Sequence, residues 1–158
     1  MMSTLYAIIR LRGLSGVPPE VAETLRKLRL TRKYTAVIYP KSPSIDGMLA
    51  VVKDWVTWGE VSEETLKELL MRRGRLVGNK PLTEEVIKEK FNMSFDEFVK
   101  ALMEGKLHLH KLDKIIKPVF RLHPPKGGFK RSTRKPIGSD GELGYRGAEI
   151  NKLLVRMM

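Results

Sequence analysis

The stretch LTRKYTAVIYPKSPSIDGMLAVVKDWV, residues 30–56, decides the fold. It holds a run of β-formers, Thr35-Ala36-Val37-Ile38-Tyr39, then a stiff turn, Pro40-Lys41-Ser42-Pro43, then an amphipathic segment. In that segment Ile45, Met48, Leu49 and Val52 recur at i, i+3, i+4 and i+7, one face of a helical period. Ser44 reads as the N-cap, with Asp46 in the positive first turn. The strand is apolar almost throughout, which places it in the middle of a small sheet. Cations flank it: Arg29, Arg32 and Lys33 before, Lys41 after. A buried strand with charged corners describes a scaffold that presents positive charge to a partner.

Upstream, residues 4–12 (TLYAIIRLR) read as a first strand that turns basic at Arg10 and Arg12. Gly13, Ser15 and Gly16 make a loop, and Pro18-Pro19 open a helix where a missing N–H does no harm. Val21, Leu25 and Leu28 mark the buried face of that helix. Downstream, residues 56–61 read as a third strand with Val56, Trp58 and Glu60 on one side. Residues 1–61 therefore read β-α-β-α-β, with both helices on the same face of the sheet. The opposite face is expected to carry Tyr6 or Tyr39, under water or another part of the chain.

From Ser62 the texture becomes helical. Ser62-Glu63-Glu64 opens a helix with Leu66, Leu69 and Leu70 inward, Arg72 and Arg73 in its last turn, Gly74 as its stop and Arg75 just beyond. Thr83 caps the next helix, with Leu82 and Ile87 placed as a hydrophobic staple. Ser94-Phe95-Asp96-Glu97 is a capping box ahead of the stripe Phe95, Phe98, Val99, Leu102 and Met103. Such a helix pair invites a helix-turn-helix reading, but packing accounts for it more simply. Residues 107–122 alternate apolar and basic and are expected to be extended. Residues 123–136 are rich in Gly, Pro and cations, with no carboxylate before Asp140, so they bury no core of their own. Ile150, Leu153, Leu154 and Met157 then share one face of a terminal helix, which implies a basic loop held at both ends.

The expected fold class is α+β: a two-layer β-α-β-α-β core (1–61), a helical extension (62–115), and a basic Gly/Pro-rich loop closed by a C-terminal helix docking back on the body (116–158).

The charge balance narrows the partners. The 158 residues carry a formal net charge of +12, with a pI near 10.0, which points to polyanions or anionic membranes. No run of about 18 apolar residues occurs, and the N-terminal residues lack the pattern of a secretory signal. The absence of cysteine removes disulfides, thiol catalysis and cysteine-ligated zinc together. Glutamine is also absent while Lys, Arg and Glu are abundant, a composition that leans towards a thermophile's cytoplasmic protein.

Catalytic chemistry finds little support. His108 and His110 would share a face on a strand, but no third ligand has metal-binding spacing, so they read as a plain pair. His123, ahead of two prolines, reads as structural. Gly127-Gly128 belong to no P-loop. Glu63-Glu64 and Glu84-Glu85 suit first helical turns, and Asp140 and Glu142 suit a glycine-rich turn. The expectation is no catalytic residue, no metal, no cofactor and no small-molecule substrate. Against a membrane, no helix sets a bulky apolar face opposite a purely basic one. Against DNA, no helix carries a run of base-reading side chains.

RNA fits best, because cations in loops and at helix ends can reach phosphates alongside backbone N–H groups. The candidate contacts are Arg12, Lys33 and Lys41 on the core, and Arg72, Arg73 and Arg75 at a helix end. In the loop they are Lys126, Gly127, Gly128, Phe129, Lys130, Arg131, Arg134 and Lys135, with Arg146 after it. There the glycines allow close backbone approach and Phe129 offers a ring for a base.

Several of these motifs together resemble a known family. The loop Arg12-Gly13-Leu14-Ser15-Gly16, the helix end Leu25…Leu28-Arg29-Leu30, the strand Thr35-Ala36-Val37 and the turn Ser42-Pro43-Ser44-Ile45-Asp46-Gly47-Met48 are similar to the large-subunit ribosomal protein family numbered thirty, whose eukaryotic relatives are numbered seven. Arg73-Gly74-Arg75, the run from Leu122 to Gly128 and Gly141-Glu142-Leu143-Gly144-Tyr145-Arg146-Gly147 extend the resemblance to the layout of the archaeal members. The resemblance implies a ferredoxin-like core, a three-stranded sheet with two helices on one face. It also implies binding of large-subunit ribosomal RNA beside neighbouring ribosomal proteins, without catalysis. Two other classes stay open on the residues alone. A free basic regulator of DNA or RNA would not co-sediment with washed large subunits. An RNA-processing or phosphoryl-transfer enzyme would need a convergent carboxylate or histidine site.

Overall fold

Runs of apolar, aromatic and β-branched residues build three central strands in the computed structural model, which describes residues 4–13 and 15–158. These are β1 (Leu5–Arg10), β2 (Thr35–Pro40) and β3 (Val56–Glu60). β1 lies in the middle, antiparallel to both neighbours, with Ile8 opposite Val37 on one side and Trp58 on the other. The readings that rest on residues 1–3 and on Leu14 lie outside the described residues.

Two helices cover one face of these strands. α1 (Pro19–Lys27) starts on Pro19, and Leu25 and Leu28 are buried. α2 (Pro43–Val52) is capped by Ser42 rather than Ser44: the Ser42 hydroxyl accepts the Ile45 N–H at 3.2 Å. Pro43 accounts for the shift, because its fixed φ and missing N–H suit the first helical position and leave the cap to the residue before it. Ile45, Leu49 and Val52 then pack with Leu25, Leu28, Tyr6, Ile8, Val37 and Tyr39. Tyr6 and Tyr39 thus sit beneath the helices, not on the opposite face as expected. Tyr39 is fixed there by donating its hydroxyl to the Leu28 carbonyl at 3.1 Å.

The opposite face is apolar too, with Leu5, Ala7, Ile9, Ala36 and Ile38, and the rest of the chain covers it. Its cover includes α3 (Glu63–Arg73), α4 (Glu84–Phe91), α5 (Phe95–Met103) and the terminal α6 (Ile150–Met157). Phe98, Leu66, Leu69, Leu154 and Met157 are fully buried in this second core. Each such side chain contributes about 1.5–3 kcal/mol relative to its exposed state. The two-layer core of residues 1–61 is thus closed on its second face by a further helical layer. Ser62, Thr83 and the Ser94–Glu97 capping box begin their helices as the sequence predicts. Asn151 pins α6 to the turn after β3, accepting the Ser62 N–H at 2.9 Å and donating to the Glu60 carbonyl at 3.1 Å.

The sheet also grows beyond three strands. Residues 107–122 are not extended throughout. They form a 3₁₀ turn at Leu109–Lys111 and then a short edge strand, β4 (Val119–Arg121). Leu109, Ile116 and Phe120 must all reach the core, and their spacing does not fit a period of two. The basic loop holds two further strands, β5 (Ser132–Pro136) and β6 (Gly141–Tyr145). β6 runs parallel to β3, and the final order is β4-β2-β1-β3-β6-β5. Gly59 permits this closure, since a Cβ there would lie 1.9 Å from the Gly147 carbonyl oxygen.

Candidate nucleic-acid interface

The core's candidate cations sit at the ends of strands, where both faces are already filled by apolar packing. The Arg12 guanidinium lies 4.1 Å from the centroid of the Trp55 ring and donates to the Asp54 carbonyl at 3.1 Å. Lys33 is exposed, its ammonium 4.9 Å from the Tyr34 ring. Arg12 and Lys33 share one end of the β1–β2 pair, whereas Lys41 stands at the other, 6.0 Å from the Tyr6 ring. The three therefore do not converge. Neighbouring Arg10 is buried and acts as an internal brace, donating to the carbonyls of Leu30 and Arg12, each at 2.8 Å.

The end of α3 supplies a second group. Arg72 is exposed, and Arg73 donates through Nε to the Met158 oxygen at 3.0 Å. Arg75 lies with Arg73 along a groove of about 350 Å³ that Asn79, Lys117, Val119 and Arg121 complete. Lys117 and Arg121 were not singled out in the sequence. They lie far from Arg73 and Arg75 in the chain and meet them only because residues 75–77 pair with 115–117. The bonds are Lys117 N–H to Arg75 carbonyl at 2.8 Å and Val77 N–H to Ile115 carbonyl at 2.9 Å.

The loop supplies the third group. Lys126, Lys130, Arg131, Arg134 and Lys135 are all exposed. The loop's base is tied to α6 by the Lys126 N–H to the Arg156 carbonyl and by the Arg156 guanidinium to the Lys126 carbonyl, both at 3.0 Å. Gly127 and Gly128 adopt φ of 78° and 75°, the left-handed conformation that favours glycine. Phe129 is turned inward: it packs on the core, with its ring centroid 6.2 Å from that of Tyr34.

Arg146 is likewise committed to the interior. It donates to the Glu142 carboxylate at 2.8 Å, to the Glu142 carbonyl at 2.6 Å and to the Thr57 hydroxyl at 2.7 Å. Glu142 is thus no exposed turn-former but a buried partner that also accepts the Arg131 N–H at 3.3 Å. Asp140 does sit in the turn between β5 and β6, at φ 64°.

The ion pairs decide where net charge remains. Among the described residues, Glu23, Asp113, Asp96, Glu104, Glu142 and Glu149 each hold a cation. None of those cations belongs to the five of the loop or to Arg73, Arg75, Lys117 and Arg121. The loop and the groove thus each gather several cations that no carboxylate side chain pairs, beside Arg12, Lys33 and Lys41 at the strand ends. His108 and His110 stand 5.6 Å apart, with Nδ1 atoms that are buried without a hydrogen-bond partner. Burial, then the nearby charges of His108, Lys111 and Arg29, lower the pKa of His110 and favour its neutral form. Among the described residues no three His, Asp or Glu side chains are grouped to hold a metal, and no helix is long and apolar enough to cross a membrane.

Comparison with known proteins gives this arrangement a context. Residues 6–56 match a family described as ribosomal protein L30p/L7e. The large ribosomal subunit protein uL30 of Staphylothermus marinus is 56% identical over 164 residues, spanning 99% of this chain and 100% of the relative. The chain belongs to this family. The uL30 protein of Hyperthermus butylicus is also 56% identical, over 98% of this chain and 90% of its own length. That of Aeropyrum pernix is 50% identical over 98% and 99%. The family match spans β1 to the start of β3, the α/β core read from the sequence. The full-length relatives extend the likeness across α3–α6, the groove and the basic loop.

Proposed function

We propose that this protein is a structural constituent of the large ribosomal subunit in the cytoplasm, seated on ribosomal RNA beside neighbouring ribosomal proteins. It has no catalytic role and uses no cofactor, metal or small-molecule substrate. The near full-length likeness to the uL30 protein of Staphylothermus marinus carries this reading. The unpaired cations supply a mechanism: each phosphate they neutralise releases condensed counterions, so binding is tight and steeply salt-dependent. In functional terms, residues 1–61 are the scaffold, 62–115 the helical layer that helps close its second face, and 116–158 the segment that adds the basic loop to the RNA-facing cations of the other two. Arg12, Lys33, Lys41, Arg72, Arg73, Arg75, Lys126, Lys130, Arg131, Arg134 and Lys135 contact RNA directly, with the Gly127 and Gly128 backbone close by. Phe129 and Arg146 hold the loop in shape.

Co-sedimentation tests this. The protein should remain with salt-washed large subunits at near-stoichiometric level. Its variant with Lys126, Lys130, Arg131, Arg134 and Lys135 replaced by Ala should wash off at lower salt, its salt slope on large-subunit RNA flattened by about four. Recovery in the ribosome-free fraction or on bulk DNA would favour a free regulator instead.

A further inference from the structure

Two of the cation groups that form no ion pair among the described residues lie on opposite edges of one sheet. β4 is one edge, and Arg121 stands on it exposed. β5 is the other edge, and carries Arg134 and Lys135. Five inter-strand intervals separate the edges, about 24 Å at a spacing near 4.8 Å. Between them the sheet's two faces are closed by helices and apolar cores. A straight tract of RNA backbone lying along one edge leaves the other free.

The β4 side is also more than a guarded strand edge. One or two charges on the strand suffice to discourage edge-to-edge pairing. Here Arg73 and Arg75 come from the end of α3, Lys117 from the segment before β4 and Arg121 from β4 itself, around one groove with Asn79 at its rim. Among the described residues no carboxylate side chain lines the groove; the Met158 oxygen holds Arg73, which leaves Arg75, Lys117 and Arg121 without an acidic partner and open to an anion from outside. Arginine's planar fork suits a phosphate's paired oxygens.

Building on the ribosomal-RNA reading, we infer that the protein clamps two separate RNA backbone tracts. One is held by Arg134 and Lys135 at the β5 edge. The other is held by phosphates seated in the Arg73–Arg75–Lys117–Arg121 groove at the β4 edge. Engaging both ties the protein to RNA that presents two phosphate tracts at that separation, a readout of shape rather than of base sequence. The second contact also gains from the effective concentration set by the first.

The test uses the full-length protein, large-subunit ribosomal RNA, affinity measured against salt, and hydroxyl-radical footprinting. Lys117→Ala/Arg121→Ala is the groove variant, since both residues are exposed and, among the described residues, neither side chain makes an ion pair or hydrogen bond. It should keep the parent's unfolding midpoint, flatten the salt slope by about 1.5 and lose protection at one RNA segment. Arg134→Ala/Lys135→Ala at the β5 edge should lose protection at a second, separate segment. If the groove variant leaves slope and footprint unchanged while the parent binds, the clamp is wrong and the ribosomal reading stands. The clamp is equally wrong if both variants erase the same protections, or if the groove variant weakens only assembly with other ribosomal proteins. If the parent protein itself fails to bind the RNA, both readings fall.

Discussion

Replacing Arg146 by Ala should cost about 3 kcal/mol and release the β5–β6 segment without behaving as the loss of an RNA contact. The Arg146 and Glu142 side chains are only 12% and 11% exposed. Removing one partner of a buried pair typically costs 3–5 kcal/mol, because the other charge is left uncompensated. The lower end applies here for two reasons. Water still reaches the rim of the pair, and the Glu142 carboxylate keeps the Arg131 N–H at 3.3 Å. Glu142→Ala should cost less, about 2 kcal/mol, since the guanidinium retains the Thr57 hydroxyl and the residue 142 carbonyl as acceptors. At 1.4 kcal/mol per decade, Arg146→Ala shifts the opening equilibrium by more than a hundredfold. Arg146→Lys should recover little, because a point charge cannot satisfy three acceptors arranged around a planar fork. Hydrogen exchange resolved by segment should show the loss first at the amides of Ser132, Ile137 and Arg146, which donate to Asp140, Leu143 and Trp58. Chemical unfolding of the single and double variants should give a coupling energy above about 1 kcal/mol. If Arg146→Ala stays within about 0.5 kcal/mol of the parent and flattens the RNA salt slope by about one, as an exposed contact does, the structural role is refuted.

Two further outcomes follow from the same region. Gly59→Ala should destabilise by about 3 kcal/mol, because the new methyl would meet the Gly147 carbonyl oxygen at 1.9 Å, a backbone atom with no rotamer to escape into; a thermal midpoint equal to the parent's would show that the β3–β6 closure is loose enough to admit a side chain. Tyr145 is half exposed and donates to Glu60 at 2.5 Å, which, ahead of burial, pushes its pKa up to about 12. The protonated phenol is the form the fold favours, so this contribution is complete at neutral pH and is lost as pH rises from about 10, the ordinary tyrosine value, through about 12. The difference in spectrophotometric titration between the parent and Tyr145→Phe should place this group's midpoint near the upper value, and Glu60→Gln should bring it down; a midpoint near the ordinary value would mean that the hydrogen bond does not hold in solution.

What the sequence disclosed follows from the range of each signal. The β-α-β-α-β core was legible because its evidence is local: apolar runs of strand length, a proline turn, a helical stripe. Burial of the second sheet face was legible only in part: β1 and β2 are apolar at successive positions, the pattern of strands covered on both sides, yet the reading left that face to water or to another part of the chain. Tyr6 and Tyr39 misled because an aromatic hydroxyl suggests a wet face, whereas Tyr39 satisfies its own by reaching the Leu28 carbonyl. The strands β5 and β6 were hidden by composition. Their segment is polar and glycine-rich, and what orders it is the Glu142–Arg146 pair and the Thr57 hydroxyl on β3, a contact made 89 residues away. The groove was hidden for the same reason, since Lys117 and Arg121 gain meaning only beside Arg73 and Arg75.

The separation of charge has a cause in the fold itself. The first turns of α1 to α5 take Glu20, Asp46, Glu63, Glu64, Glu84, Glu85, Asp96 and Glu97, where the helix dipole favours an anion. Those carboxylates are thereby fixed on the helical layers. With both faces of the sheet given over to apolar packing, the edges, the strand ends and the loop are where cations can remain in water. Within the stretch from His123 to Ser139 there is no acid at all, and the nearest buried one, Glu142, is taken by Arg146. A net charge of +12 spread evenly would weaken a small domain by self-repulsion and attract polyanions from every side. Concentrated at the sheet's edges, the strand ends and the loop, the same charge repels itself less across the core and offers a partner fewer orientations. The arrangement that lets the chain fold is therefore also the one that sets how a polyanion docks on it.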